Sequence, residues 1–365
     1  MMRRFVVAAC LCVSSGAMAA TLAVPGDHPS IQDAIDAASP GDVVHVAPGR
    51  YVESIDLKGK PIHVLATDGP RVTFLDGTTL KSSLIRCVSG EGPDTIIEGF
   101  RVTKGSGDPT FYGPEATVGG GMVIMSSSPT VRKCVFEKND ASYNGGGIFC
   151  GSKSSVQMDS CRFVKNSAEK GGAIFNIDSS PQIKNCEFES NAARYAGGGI
   201  YNANKSNTVI TECNFTLNLA TYNGGAIYNY DSTPRISSCI FFNNAATYKG
   251  GAIYHGYRSG TLIQDGTSRF QTDNDDIAGG GYLMGVANPK GACCLGDACI
   301  EVEETPCVEA GGSWAGANTT CKEVAASICP KPRAGDMNKD GVVDINDMAI
   351  LMKIWGTRRS GTPGS

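Results

Sequence analysis

The chain has 365 residues, with 46 glycines, 15 cysteines, 19% charged residues and a formal net charge of -4. It shows no Lys/Arg cluster of the kind a dedicated nucleic-acid binder uses, and no apolar run of about 18 residues that would make an ordinary membrane span. Glycine exceeds its usual share of about 7%, yet hydrophobic residues are plentiful enough to bury a sizeable core, which excludes disorder throughout.

The first residues read as an export signal. Arg3 and Arg4 precede apolar Phe5 to Val13, and Ala17-Met18-Ala19 fits a small-x-small cleavage site before Ala20. The spacing therefore predicts a signal peptide over residues 1–19 and a secreted or bacterial cell-surface protein in an oxidising compartment. Ser30 to Ser39 places Ile31, Ala34, Ile35 and Ala38 on one helical face, as expected of a cap over residues 20–42. Short strands follow at Val43 to Val46, Ile62 to Leu65, Leu84 to Val88 and Ile96 to Val102. Gly105 to Val118 reads as an inserted loop, and long loops often carry function.

The middle of the chain repeats. A glycine-led motif occurs at Gly145, Gly171, Gly197, Gly224 and Gly250, as GGGIFC, GGAIFN, GGGIYN, GGAIYN and GGAIYH. Its isoleucines, Ile148, Ile174, Ile200, Ile227 and Ile253, step by 26, 26, 27 and 26 residues. A degenerate copy precedes at Gly119 to Met122, and another is expected at Gly279 to Tyr282. In phase with this runs C-x-F-x-x-N: Cys134/Phe136/Asn139, Cys161/Phe163/Asn166, Cys186/Phe188/Asn191, Cys213/Phe215/Asn218 and Cys239/Phe241/Asn244. Such a period marks a repeat architecture. The units are short apolar runs broken by Gly, Asn, Ser and Pro, so they are strands rather than helices. The fold class is therefore all-β: a right-handed, single-stranded parallel β-helix over residues 43–288, with about one strand spacing per coil. Cys and Phe should stack inside as buried apolar groups. The asparagines should form amide ladders at bends, since Asn tolerates the left-handed conformation. His255 stands at a rung where other coils carry Asn.

The segment VPGDHPSIQDAIDAASPGDVVHVAPGRYVE resembles the opening of the pectate-lyase-like β-helix superfamily, and IIEGFRVTKG resembles its repeat pattern. The GGAIYN and F-x-x-N motifs are similar to those of polymorphic outer-membrane proteins. The resemblance covers about residues 23–285 and implies a pectin-lyase fold, with little said of activity.

Two small modules follow. Cys293, Cys294, Cys299, Cys307, Cys321 and Cys329 fall within residues 289–332. Six exported cysteines at this density read as three disulfides of open pairing, and the segment resembles a cysteine-rich stretch of planctomycete-type secreted proteins. In residues 333–357, DMNKDGVVDIND places Asp336, Asn338, Asp340, Asp344 and Asp347 at loop positions 1, 3, 5, 9 and 12. The Val342 carbonyl serves position 7, and Gly341 permits the turn. This oxygen set predicts Ca2+ binding. Asp at the last position resembles half of a type I dockerin. Dockerins carry two halves, so a calcium-stapled tail helix or anchoring tag fits better than a cohesin partner. Residues 358–365 read as a disordered tail.

Two columns of the solenoid are candidates for function. Four residues after each Ile stand Ser152, Asp178, Asn204, Asp231 and Tyr257. Asp178 and Asp231 would lie two coils, roughly 9 to 10 Å, apart, near the upper limit for an inverting carboxylate pair. Lys205 and Arg235 lie close in phase. Asp273, Asp275 and Asp276 form a further acidic cluster. Five residues before each Ile stand Tyr143, Glu169, Tyr195, Tyr222 and Tyr248, and such a tyrosine column offers stacking surface to an extended glycan. The expected function is a non-catalytic, calcium-binding, polysaccharide-binding or adhesin-like surface protein. The competing expectation is a polysaccharide lyase or glycoside hydrolase acting on an acidic polysaccharide.

Overall fold

The computed structural model describes residues 19–110, 113–263, 268–271, 277–279 and 282–283, with the strands Gly291–Leu295, Ala298–Val302 and Ser313–Trp314. The expected signal peptide up to Met18, the expected calcium loop Asp336 to Asp347, Cys307, Cys321, Cys329, Asp273, Asp275 and Asp276 lie outside the described residues. The chain divides into a solenoid unit running to Met284 and a second unit from Gly285.

Three long parallel sheets run along the solenoid, and a shorter fourth one, of four strands from Ser167–Lys170 to Ala245–Ala246, precedes the glycine corner and includes Tyr195 in its strand Ala192–Ala196. The first has eleven strands, from Thr21–Val24 to Tyr282–Leu283. The second has nine, from Gly49–Tyr51 to Arg269–Gln271, and the third nine, from Ile55–Asp56 to Ile277–Gly279. Each strand pairs with its counterpart one coil away, which is the expected parallel β-helix. Most strands have only three or four residues, and alternation decides their facing. Gln182–Lys184, for example, reads exposed, buried, exposed, because successive side chains point to opposite sides.

Register follows the sequence repeat. Met122, Ile148, Ile174, Ile200, Ile227 and Ile253 pair rung by rung and point inward. The next rung is Ile277, not a second glycine motif at Gly279 to Tyr282: Gly279 pairs with His255. Phe136, Phe163, Phe188, Phe215, Phe241 and Phe270 form an interior stack with ring centroids 4.5–5.2 Å apart. Cys134, Cys161, Cys186, Cys213 and Cys239 are buried free thiols beside it. Burial pushes the Cys134 thiol up to about 12. The thiols act here as small apolar residues, as expected.

The asparagine ladder Asn139, Asn166, Asn191, Asn218 and Asn244 is fully buried. From Asn166 onward each amide oxygen accepts from the preceding rung's side chain and each Nδ2 also donates to a phenylalanine carbonyl, whereas Asn139 at the end accepts from the Gly105 N–H and donates to the Val102 carbonyl. One expectation is corrected. The left-handed residues at this bend are Lys138, Lys165, Ser190, Leu217 and Asn243, one position earlier, with φ of 49–57°. Asparagine is used for its amide, which satisfies the bend from inside, and not for its backbone tolerance. A second ladder links Asn176, Asn202 and Asn229 at 2.9 Å. It ends toward His255, 3.5 Å from Asn229 Nδ2. Burial lowers the His255 imidazole to about 4, so it is a neutral structural residue.

The N-terminal part departs in detail from expectation. A strand, Thr21–Val24, already belongs to the first sheet. The helix Ile31–Ala37 follows, capped by Ser30, which accepts from the Asp33 amide. Its buried face is Ile31, Ala34 and Ile35. The Glu53 carboxylate accepts its first two N–H groups at 3.0 Å, and Lys60 Nζ donates to three carbonyls at its end, each at 2.8 Å. These charges complement the two helix ends. The expected strand Ile96 to Val102 is two strands, Ile96–Glu98 and Arg101–Thr103. Gly99 turns between them at φ +81°, and a Cβ there would meet the Ala66 carbonyl at 2.8 Å. The Gly105 to Val118 insertion contains an antiparallel hairpin, Asp108–Thr110 with Gly113–Val118, held to the body by Asp108 pairing with Arg86.

In the second unit, Gly291–Leu295 pairs antiparallel with Ala298–Val302 and with Ser313–Trp314. Cys294 and Cys299 are directly opposite in that register.

Candidate functional site

The third sheet carries the candidate surface. Opposite each inward Ile stands an aromatic residue: Phe149, Phe175, Tyr201, Tyr228 and Tyr254. Their rings stack at 4.7–5.7 Å. Sequence alone did not say which set faces inward. The isoleucines do, each fully buried in the main core beside the phenylalanine stack. The outer aromatic stack is nevertheless largely covered, packing with Ala196 and Ala203. Burial raises the Tyr201 phenol and pushes Tyr228 up to about 12, so both remain neutral. This stack is a floor.

Along one edge run the predicted tyrosines. Tyr195, Tyr222 and Tyr248 form one column, with centroids 5.2 and 5.3 Å apart and exposures of 39, 42 and 65%. Tyr222 and Tyr248 stack with their planes 2° apart, so each covers part of the other's face, whereas Tyr195 is tilted 41° to Tyr222. The widest exposed ring is Tyr248. Tyr143 is separated from them by the coil carrying Glu169. The gap is filled by Lys170, whose ammonium stands 5.0 Å from the Tyr143 ring and 5.6 Å from the Tyr195 ring. This is cation–π geometry on both sides. Glu169 Oε1 lies 3.5 Å from the same ammonium.

Along the other edge is the turn holding Asp178 and Asp231. Ser152, Lys153, Asp178, Asn204, Lys205, Asp231 and Arg258 all adopt left-handed φ, 47–63°. Lys153 N–H donates to the Asp178 carbonyl at 2.7 Å and Lys205 N–H to the Asp231 carbonyl at 2.6 Å. The structure thus gives the two aspartates a backbone reason to be there, since Asp accepts the left-handed region better than most residues. Their carboxylates form no ion pair or hydrogen bond among the described residues. Asp178 and Lys205 are exposed on this edge, and Asp231 is half-buried. Arg235 lies elsewhere, facing outward on the first sheet opposite Val209. Next to the turn, Tyr230 and Tyr257 are 40 and 57% exposed, with centroids 6.0 Å apart.

One ladder was missed from sequence. Ser127, Ser154, Ser179, Ser206, Ser232 and Ser259 are buried. Each hydroxyl from Ser154 onward accepts the N–H of the preceding rung's serine at 3.1–3.3 Å. The ladder ends on buried Glu91, which accepts from Ser127 Oγ at 2.7 Å. Its offset from the isoleucines alternates between five and six residues, so a search at constant offset passes over it.

Residues 126–304 match the family model described as the right handed beta helix region. With the parallel sheets, this defines the class: a right-handed parallel β-helix protein. Among solved structures, the chain is similar to PfbA, a surface adhesin of Streptococcus pneumoniae, at 14% identity and a TM-score of 0.35, covering 82% of this chain and 99% of that one. No curated protein matches the chain.

Proposed function

We propose that this is an exported, non-catalytic β-helix protein that binds an extended polysaccharide on the third-sheet face, as a surface or adhesin-like component. The observation that carries this reading is the exposed, in-register tyrosine column Tyr195, Tyr222 and Tyr248. An extended glycan lying parallel to the solenoid axis meets a tyrosine once per coil. Tyrosine suits this work, offering apolar area and a polar tip with few rotors to order. The left-handed backbone at Asp178 and Asp231 accounts for those residues without chemistry, and Arg235 is not on the same edge.

The test is affinity electrophoresis of the full chain in gels containing polysaccharides, followed by assay for unsaturated or reducing-end products. Retardation without products is the expected result, with at least tenfold weaker binding for Tyr222→Ala plus Tyr248→Ala. Products would establish the lyase or hydrolase reading instead, and unchanged retardation in the double variant would remove the tyrosines from the site. The calcium tail is a separate part of the proposal, resting on the spacing of Asp336, Asn338, Asp340, Asp344 and Asp347. Calorimetric titration should show calcium uptake that Asp336→Ala with Asp340→Ala abolishes; equal uptake in both proteins would refute it.

A further inference from the structure

The turn edge of the third sheet alternates in charge from coil to coil. Successive coils present Lys153, Asp178, Lys205, Asp231 and Arg258. The cations recur after 52 and 53 residues and the aspartates after 53, two repeats in each case. Backbone geometry follows the same two-coil rhythm. The turns carrying Lys153 and Lys205 have two left-handed residues, Ser152–Lys153 and Asn204–Lys205, whereas Asp178 and Asp231 are single; the rhythm holds over these four coils and stops at Arg258, whose turn is single. In the long turns the serine hydroxyl bonds a carbonyl three residues back, as Ser154 and Ser206 do; in the short ones, two residues back, as Ser179 and Ser232 do. The extra residue is what brings each lysine to the edge. None of the five forms an ion pair among the described residues, and Arg258 stands 5.0 Å from the Tyr257 ring centroid.

We infer that this face selects a polyanionic glycan whose carboxylate occurs once per disaccharide. The inference rests on the glycan-binding reading and specifies its ligand. In an extended chain whose sugar repeat is close to the coil spacing, alternate sugars fall on alternate coils. Carboxylates then meet Lys153, Lys205 and Arg258. The intervening sugars, bearing hydroxyl or amide donors, meet Asp178 and Asp231. A polymer charged on every sugar would set carboxylates against those aspartates, and such like-charge contacts discriminate against wrong partners. A neutral glycan would forgo the cations.

The experiment is a binding comparison with the full chain and length-matched probes: hyaluronan (one carboxylate per disaccharide), polygalacturonate (one per sugar) and a neutral β-1,4-glucan. Hyaluronan should bind at least tenfold more tightly than either of the others, with an affinity that falls as salt rises. Lys153→Asn, Lys205→Asn and Arg258→Asn together should erase that preference; asparagine keeps the left-handed turn. Asp178→Asn with Asp231→Asn should bring polygalacturonate to within about threefold of hyaluronan. Equal or tighter binding of polygalacturonate by the unaltered chain, or unchanged ratios in both variants, would overturn the inference. If the glucan binds as well as hyaluronan and Tyr222→Ala weakens both, the charge rule fails while the glycan-binding reading stands. If no polysaccharide binds, both fail.

Discussion

Asn191→Ala is expected to destabilise the solenoid by roughly 3–5 kcal/mol, because it orphans buried groups rather than merely deleting a contact. Asn191 Oδ1 accepts both the backbone N–H and the Nδ2 of Asn166, each at 3.0 Å, and its own Nδ2 donates to the Phe163 carbonyl and to Asn218 at 2.9 Å. Water does not reach this position, since Asn191 is fully buried. Asn139, at the ladder's end, accepts a backbone N–H only from Gly105 and has no asparagine donor above it. Asn139→Ala should therefore cost clearly less. In a solenoid each coil touches chiefly its neighbours, so the damage should be local. Hydrogen exchange of the Asn166 amide should accelerate far more than that of amides three coils away. An Asn191→Ala protein as stable as Asn139→Ala in urea would contradict the ladder's energetic role.

The second large effect is a contrast between adjacent glycines. At Gly198 an added Cβ would meet the Gly225 carbonyl at 2.4 Å and the Leu219 carbonyl at 2.5 Å. Both are backbone atoms of the neighbouring coil and cannot swing aside. Gly198→Ala must separate two coils at the corner and should cost about 3 kcal/mol or more, beyond ordinary overpacking. Gly199→Ala, one residue on, would meet one backbone carbonyl, that of Ala226, at 2.7 Å, and should cost clearly less than Gly198→Ala. Alanine already occupies that rung at Ala173, Ala226 and Ala252, where it is buried. Thermal unfolding of the two variants side by side checks this. Equal losses would show that the corner relaxes and that the second glycine of the motif is not sterically required.

Much of the fold was legible because each coil repeats the same problem. Ile148 through Ile253 recur at a nearly constant interval, and residues recurring so must occupy equivalent places in a stack. The interior phenylalanines and free thiols, and the identity of the amide ladders, follow from that equivalence. Less was legible where the interval slips by one. The serine ladder escaped for that reason, as did the two-residue turns at Lys153 and Lys205. Ile96 to Val102 looked like one strand because apolar residues flank Gly99. Only the neighbouring Ala66 carbonyl shows that the chain must bend there. The tyrosine column was found from its spacing, but its character was not. Spacing cannot tell how the rings tilt against one another, nor that Lys170 enters between Tyr143 and Tyr195.

By itself, the sequence determined a stacked parallel β architecture, its period, its interior columns and the residues available at each bend. These follow from repetition and from the side-chain chemistry of Gly, Asn, Ile and Phe. Tertiary structure decided which side of each strand faces water, which residue of a bend takes the left-handed conformation, and which charges share an edge. Those outcomes depend on the approach of neighbouring coils, a steric quantity set by atoms about 26 residues away along the chain. Asp178 and Asp231 therefore read as a carboxylate pair in sequence and as two members of an alternating charged edge in three dimensions.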